Sequence, residues 1–453
     1  MSTRREQWQA ALTVYLQPRV LGMLFLGFSA GLPLPLVFST FSTWLRDAGV
    51  SPSTIGFLSA VGLAYAFKFA WAPIVDRLRL PLLGRLGQRR SWMLLAQLAV
   101  IAGLLLMATV NPVEHIQLLG IAAVLVAFSS ATQDIAIDAY RIEAVDADLQ
   151  AAMAAMYIYG YRLAMICSVA GALYLAQFFS WSLAYLAMAG CMAVGVVTTL
   201  IIREPSRIVS PLARQLEARL QAAVGANAGS AWDRFKAWFA NAVVGPFAEF
   251  FARNGSRALV LLALVATYLM SDYLLGVMAG PFYIDMGYSK VEIANVAKLF
   301  GLAMTLAGAG IGGLLVVRFG IMPILLLGAF LVAATNLAFA WLAWSGSPDT
   351  WRLAVVIAMD NLGGGIANVV FIAFMSSLTN TAYTATQYAL FSSLMKVPGK
   401  IAGVFSGVAV EAWSYGEFFV LTALGGIPAV LLIIHLMRQG FLPEAEQRQR
   451  AAA

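Results

Sequence analysis

Residues 117–141 read QLLGIAAVLVAFSSATQDIAIDAYR. A run of roughly 20 apolar residues is the length at which an α-helix crosses about 30 Å of hydrocarbon. This run has that length and still contains Asp134 and Asp138. A carboxylate at membrane depth costs several kilocalories, so it persists where it lines a wet cavity, meets a partner or carries an ion. Asp134 and Asp138 lie one helical turn apart and share a face. Acids held together in low dielectric repel, and such a pair is suited to taking up and releasing a proton. The competing reading makes Asp138 a structural gate, paired with Arg141 or Arg77.

Similar runs recur along the chain. Of its 453 residues, 61% are hydrophobic and 11% charged, against about 25% charged in soluble domains. The runs are continuous rather than alternating, which excludes a β-barrel. Twelve spans are expected, at 20–45, 53–76, 91–110, 117–140, 152–178, 183–202, 257–281, 291–317, 321–344, 353–378, 384–411 and 417–437. The fold class is therefore an all-α membrane protein with two six-helix bundles. Residues 1–203 form the first bundle, 204–256 a linker, and 257–453 the second bundle and tail.

With both termini cytoplasmic, the outer loops hold only Arg46, Lys290 and Arg352, and most other Lys and Arg fall on the inner side. That asymmetry sets the orientation. The formal net charge of +7 then reflects the inner-side bias and contact with anionic lipid headgroups, not nucleic acid. Cys167 and Cys191 both fall within spans and are expected as free thiols. His115 and His435 stand apart, so no metal site and no cofactor is expected. The first apolar run is of anchor length rather than a cleavable signal, and neither end carries a lipidation motif.

In the linker, Trp232, Phe235, Phe239 and Val243 recur at helical spacing opposite Asp233, Arg234 and Lys236, with Phe247, Phe250 and Phe251 following Pro246. Such helices lie in the inner headgroup layer. A weak internal echo joins the halves. Ala72-Pro-Ile-Val-Asp76-Arg77 after the second span is matched by Gly313-Leu-Leu-Val-Val317-Arg318-Phe-Gly320 after the eighth. Breaks are expected at Gly31-Leu-Pro33-Leu-Pro35, at Gly363-Gly364-Gly365 and at Pro398-Gly399, since freed backbone groups at membrane depth mark binding sites in carriers. The alternative for each is a packing kink with small residues at a helix crossing.

Other charges lie at depth. Lys68 sits halfway along the second span, where it either snorkels or faces the interior. Arg162 keeps its proton at any pH and must meet an anion, Asp134 being the candidate. The second bundle offers Asp272, Lys298, the Lys396/Lys400 pair and Asp360-Asn361, with Asp272 expected to pair with Lys298 or Lys400. The excess of cations suits an anionic solute.

These motifs resemble the AmpG muropeptide permeases of the major facilitator superfamily. The resemblance runs over nearly the full length. It is carried by Gly27-Phe-Ser-Ala-Gly31-Leu-Pro33, Phe67-Lys68-Phe-Ala-Trp71-Ala-Pro73-Ile-Val-Asp76-Arg77, Ala131-Thr-Gln133-Asp134-Ile-Ala-Ile-Asp138-Ala, Gly160-Tyr-Arg162-Leu, Asp360-Asn361-Leu-Gly-Gly-Gly365 and Thr384-Ala-Thr-Gln387-Tyr-Ala-Leu. It implies a proton-coupled importer of N-acetylglucosaminyl-anhydro-N-acetylmuramic acid and its peptides, acting as a monomer in the bacterial inner membrane during peptidoglycan recycling. Distant resemblance to acetyl-CoA transporters keeps another anionic solute as the alternative. On this reading Asp134, Asp138 and Asp272 are the proton-linked acids, with Asp138 doubling as a gate. Lys68, Arg162, Lys298 and Lys400 hold the solute's carboxylates. Gln133, Asn361 and Gln387 bond its amides and hydroxyls. A membrane enzyme lacks any supporting motif, and a linker-based receptor is the remaining rival.

Overall fold

A helix satisfies every backbone group within its own segment, which is why long apolar runs take that form in hydrocarbon. The computed structural model describes residues 13–50, 54, 58–146, 149–205, 215, 230, 244–403 and 405–442. Among them, ten helices are long and apolar enough to cross a membrane. They are Pro18–Asp47, Gln88–Thr109, Ile116–Glu143, Gln150–Phe178, Trp181–Ile201, Arg257–Asp285, Asn295–Phe319, Ile321–Trp344, Thr350–Ser377 and Tyr415–Arg438. They are spans one, three to ten and twelve.

The other two spans are present in pieces. The second runs as Ser59–Gly62, Leu63–Phe67, Lys68–Ala70 and Ala72–Arg77. Its break falls just before Pro73, which lacks an N–H and sits in the first turn of the last piece, where no donor is needed. The eleventh runs as Thr384–Leu394, Val397–Gly403 and Ser406–Ala412. Pro398 ends the first piece by the same chemistry, as expected from the sequence. The first span also breaks where its prolines predict, into Pro18–Gly31, Pro33–Val37 and Ser39–Asp47.

The expected break in the tenth span is absent: Thr350–Ser377 is one helix. Its glycines serve packing instead. A methyl on Gly365 would overlap the Thr305 carbonyl, and one on Gly308 would overlap the Leu362 carbonyl. Small residues thus let spans eight and ten approach backbone to backbone. Gly365→Ala is expected to destabilise by about 1–3 kcal/mol through overpacking. Gly364→Ala, where an added Cβ meets nothing within 4 Å, should be neutral. Thermal unfolding of the two variants side by side checks this; equal midpoints would refute the packing role.

The internal echo is visible in the backbone. Gly87 has φ 105° and ψ 170° and precedes the third span. Gly320 has φ 85° and ψ 174° and precedes the ninth. Both conformations are open chiefly to glycine, and they occupy equivalent places in the two halves. Cys167 and Cys191 are free. The linker residues Trp232, Phe235, Phe239 and Val243 lie outside the described residues.

At the end away from the 77–90 loop, Ser289-Lys-Val-Glu292 forms a capping box at the start of the eighth span. Glu292 accepts from the Ser289 amide at 2.9 Å and hydroxyl at 2.7 Å, and from the Thr350 hydroxyl. These bonds hold its carboxyl below the usual carboxylate range. A lowered folded-state value stabilises above the unfolded one and is lost as pH falls through the folded one. Acidification through that window should therefore lower the melting temperature of the native protein more than that of Glu292→Gln. Parallel pH curves would refute the contribution.

The two bundles meet mainly at the end that carries the 77–90 loop. There the fifth span packs on the eighth, and both the fourth span and the Ala72–Arg77 piece pack on Thr384–Leu394. The Tyr15 hydroxyl donates to the Gly310 carbonyl across the same seam at 3.1 Å.

Candidate transport site

The fourth span organises the site. Asp138 accepts from Lys68 Nζ at 3.4 Å and lies 3.8 Å from Arg141 Nη2. All three are buried; Arg141 has no exposed surface. Buried charges persist when paired and bonded, which explains how Lys68 stays at depth instead of snorkelling. Arg141 Nη1 also donates to Ser376 Oγ at 2.8 Å, and its guanidinium lies 5.0 Å from the Tyr388 ring centroid. Ser376 and Tyr388 belong to the second bundle. The Lys68–Asp138–Arg141 chain therefore reaches from one half to the other. Of the two partners expected for Asp138, Arg141 is present and Arg77 is elsewhere, over the Tyr383 ring.

One turn earlier the helix presents a different surface. Asp134 Oδ1 is buried without a hydrogen-bond partner. Lys68, Asp138 and Lys396 lie within its electrostatic reach, Lys396 coming from the interrupted eleventh span. Gln133 accepts from Ser29 Oγ at 3.1 Å, while its Nε2 is buried without a partner. Unfilled buried donors and acceptors carry a cost of about 1–3 kcal/mol each. Sites that must take a ligand or a proton are where such a cost is kept.

Arg162 takes no part in the ion pairs of that cluster among the described residues. No ion pair among the described residues joins it to Asp134, whose reachable cations are Lys68 and Lys396. Arg162 instead acts on Asp272 of the second bundle. Asp272 is in turn within reach of Asp360, and Asp360 accepts from Thr335 Oγ1 at 3.2 Å. Among the described residues no ion pair joins Asp272 to Lys298, and the cation whose charge reaches Asp272 is Arg162 of the opposite half. Lys298 is exposed on the wide-turn helix Ile293–Phe300, and the side chain of Lys400 lies outside the described residues.

The expected amide contacts separate. Asn361 accepts from Thr305 Oγ1 at 2.8 Å and donates to the Ile357 carbonyl at 3.1 Å, tying spans ten and eight. Gln387 is at the seam, not the interior. Its Nε2 donates to Glu249 Oε2 at 2.8 Å and to the Pro246 carbonyl at 2.9 Å, and its Oε1 accepts from the Asn380 amide at 2.7 Å. With both N–H groups and the carbonyl engaged, Gln387 has little left for a solute in this conformation.

A second charged cluster closes the seam. Asp76 accepts from the backbone N–H of Ala385 at 3.1 Å and of Thr386 at 2.7 Å, and from the Thr386 hydroxyl at 2.7 Å. A carboxylate from the first bundle thereby caps the N-terminus of a second-bundle helix, where the helix dipole favours it. Arg89 bridges Asp76 at 2.8 Å and Glu143 at 2.6 Å. Glu204 accepts from the Arg89 and Arg90 amides at 2.7 and 3.0 Å, capping the third span. Reading the sequence picked out Asp76 in the repeated turn after the second span but passed over Glu143 and Glu204. Their signal was available: each is an acid at the inner end of a span, on the side where the arginines collect.

A sequence model described as Major Facilitator Superfamily matches residues 20–403. A Rickettsia felis protein named putative transporter AmpG 4 is 31% identical over 93% of this chain and 97% of its own length. The anhydromuropeptide permease of Escherichia coli K12 is 32% identical over 93% of this chain and 80% of its own length. Among solved structures, the proton:xylose symporter XylE bound to 6-bromo-6-deoxy-D-glucose superposes with a TM-score of 0.64 at 13% identity, covering 94% of this chain and 95% of that one. That likeness speaks for the fold. Interrupted helices, membrane-depth charges shared between two bundles and these relatives agree: the chain belongs to the major facilitator superfamily, among its AmpG-type permeases, and is a transporter rather than an enzyme.

Proposed function

We propose that this protein imports anhydromuropeptides, the N-acetylglucosaminyl-anhydro-N-acetylmuramic acid disaccharide and its peptides, from periplasm to cytoplasm in symport with protons. The observation that carries the reading is the charge assembly at membrane depth. Asp134 sits with an unfilled acceptor among Lys68, Asp138 and Lys396, and the charge of Arg162 reaches Asp272 of the other half. The substrate class is supported by the 32% identity to a protein named for it. These solutes carry carboxylates, for which Arg162, Lys68, Lys298 and Lys400 are the receiving cations and Gln133 the amide donor.

The bias of Lys and Arg places both termini in the cytoplasm. In that orientation the seam of Asp76, Arg141 and Thr384–Leu394 is the cytoplasmic gate, closed here. Solute carboxylate binds at Arg162, whose charge reaches Asp272, and a proton taken by an acid offsets the repulsion that results. The loaded and empty sites then favour different gate states, which is all that coupling requires. The protein acts as a monomer in the inner membrane, surrounded by lipid.

Purified protein in vesicles, given labelled disaccharide with and without an inward proton gradient, tests this. Gradient-driven accumulation is expected, uncompeted by acetyl-CoA. Uptake indifferent to the gradient would reject coupling, and competition by acetyl-CoA with no disaccharide uptake would reject the substrate.

A further inference from the structure

The helix over residues 244–254 precedes the second bundle and carries Glu249, whose side chain has no exposed surface. A buried carboxylate needs several donors, and this one has them. Oε1 accepts from Arg253 Nε at 2.9 Å and from Asn380 Nδ2 at 2.8 Å, and Oε2 accepts from Gln387 Nε2 at 2.8 Å. Arg253 also donates to the Leu378 carbonyl at 2.7 Å. Phe250 adds an apolar contact, its ring edge-on to Phe391 at 5.3 Å. Apart from Arg253, on the same helix, these partners belong to the connection between spans ten and eleven or to the first piece of span eleven.

The same short stretch is the one gripped by Asp76. Ala385 and Thr386 give their amides to Asp76, while Asn380 and Gln387, on either side of them in sequence, are held by Glu249. The Asn380 amide is bonded to Gln387 as well, and Asn380 Oδ1 accepts from the Ala382 amide at 2.9 Å. The turn before Thr384–Leu394 is thus fixed from below by one carboxylate so that its first N–H groups point at another. A helix N-terminus that can swing presents its donors poorly, and each charge-assisted bond lost is worth about 1.5–3 kcal/mol.

We infer that Glu249 is a positioning residue for the gate. The 244–254 helix moves with the second bundle as a clamp and presents the Ala385 and Thr386 amides to Asp76. Its effect on the open–closed equilibrium runs through that contact. The linker is therefore mechanically divided, its last helix being part of the second half. The inference rests on alternating access and is independent of which solute is carried.

Spin labels on Leu82→Cys and Arg438→Cys, with Cys167 and Cys191 replaced by alanine, report the separation of the two halves at the gate end in nanodiscs without substrate. Glu249→Gln is expected to raise the ratio of long to short distances about tenfold or more, as lost charge-assisted bonds require. Asp76→Asn should do the same, and the double variant should do no more than Asp76→Asn alone. An unchanged ratio in Glu249→Gln would overturn the inference. So would additive shifts in the double variant, because Glu249 would then act elsewhere. A purely structural role would lower the melting temperature and leave the ratio unmoved. Asn380→Ala, which removes one joint of the clamp without touching the buried carboxylate, is measured in parallel and is expected to shift the ratio in the same direction. The distances need no transport, so failure of the proposed substrate would leave this test intact.

Discussion

Asp134→Asn should abolish accumulation of solute while leaving a folded protein that still exchanges it. The substitution keeps the shape of the side chain and removes its charge. Oδ1 makes no hydrogen bond in the structure, so no existing bond at that atom is lost. What disappears is the one acid on this face that is not already in an ion pair, since Asp138 is committed to Lys68 and Arg141. Without it, the proposed proton site nearest Lys68 and Lys396 is gone. Gradient-driven uptake should fall at least about tenfold, a coupling loss of roughly 1.4 kcal/mol or more. Counterflow, in which labelled solute exchanges for unlabelled with no gradient, should persist. Wild-type accumulation in Asp134→Asn would remove this residue from the mechanism, and Asp272→Asn would be the next to measure.

Removing Asp138 is expected to give the largest stability loss of any single charge change here. Among the described residues it is the ion-pair partner of both Lys68 and Arg141, so Asp138→Ala strands two buried cations. Stranding a buried charge costs about 3–5 kcal/mol. Lys68→Met should be milder, because Arg141 remains beside Asp138 and the methionine fills the lysine's stem volume. Combining Asp138→Ala with Lys68→Met should then recover part of the loss, with a coupling energy on the order of 1–3 kcal/mol. Thermal unfolding in detergent gives the order of the four proteins. Equal losses in the two single variants, or strict additivity in the double, would show that Lys68 meets lipid headgroups rather than Asp138.

Much of the fold was legible in the chain because hydrophobic length is a local property. Twelve runs long enough to cross a bilayer predict twelve spans, and the prolines of the first and eleventh predict their breaks. The tenth span shows where local reading fails. Gly363-Gly364-Gly365 looks like a break in isolation, yet a neighbouring helix uses Gly365 as a contact surface and the helix stays whole. A glycine in a sequence does not say whether it frees the backbone or admits another one.

The site divides in the same way. Charges at membrane depth announce themselves, since each costs energy wherever it sits, and Lys68, Asp134, Asp138, Arg162 and Asp272 were all visible on that ground. Their partners were not. Arg162 was matched to Asp134 within its own bundle, but no ion pair joins them among the described residues, and the acid its charge reaches is Asp272 across the seam. Gln387 was read as a solute ligand on motif resemblance, while its bonds go to Glu249, Pro246 and Asn380.

The sequence by itself determined that this chain is a polytopic helical transporter with both signs of charge in its bundle, because span length and desolvation cost depend only on what each segment contains. Only the tertiary structure decided which charge faces which, and that carboxylates at 76 and 249 grip one helix end from two sides. Pairing depends on distances between segments hundreds of residues apart, and Coulomb energy in a low dielectric changes by kilocalories over the few ångströms that helix rotation and tilt control.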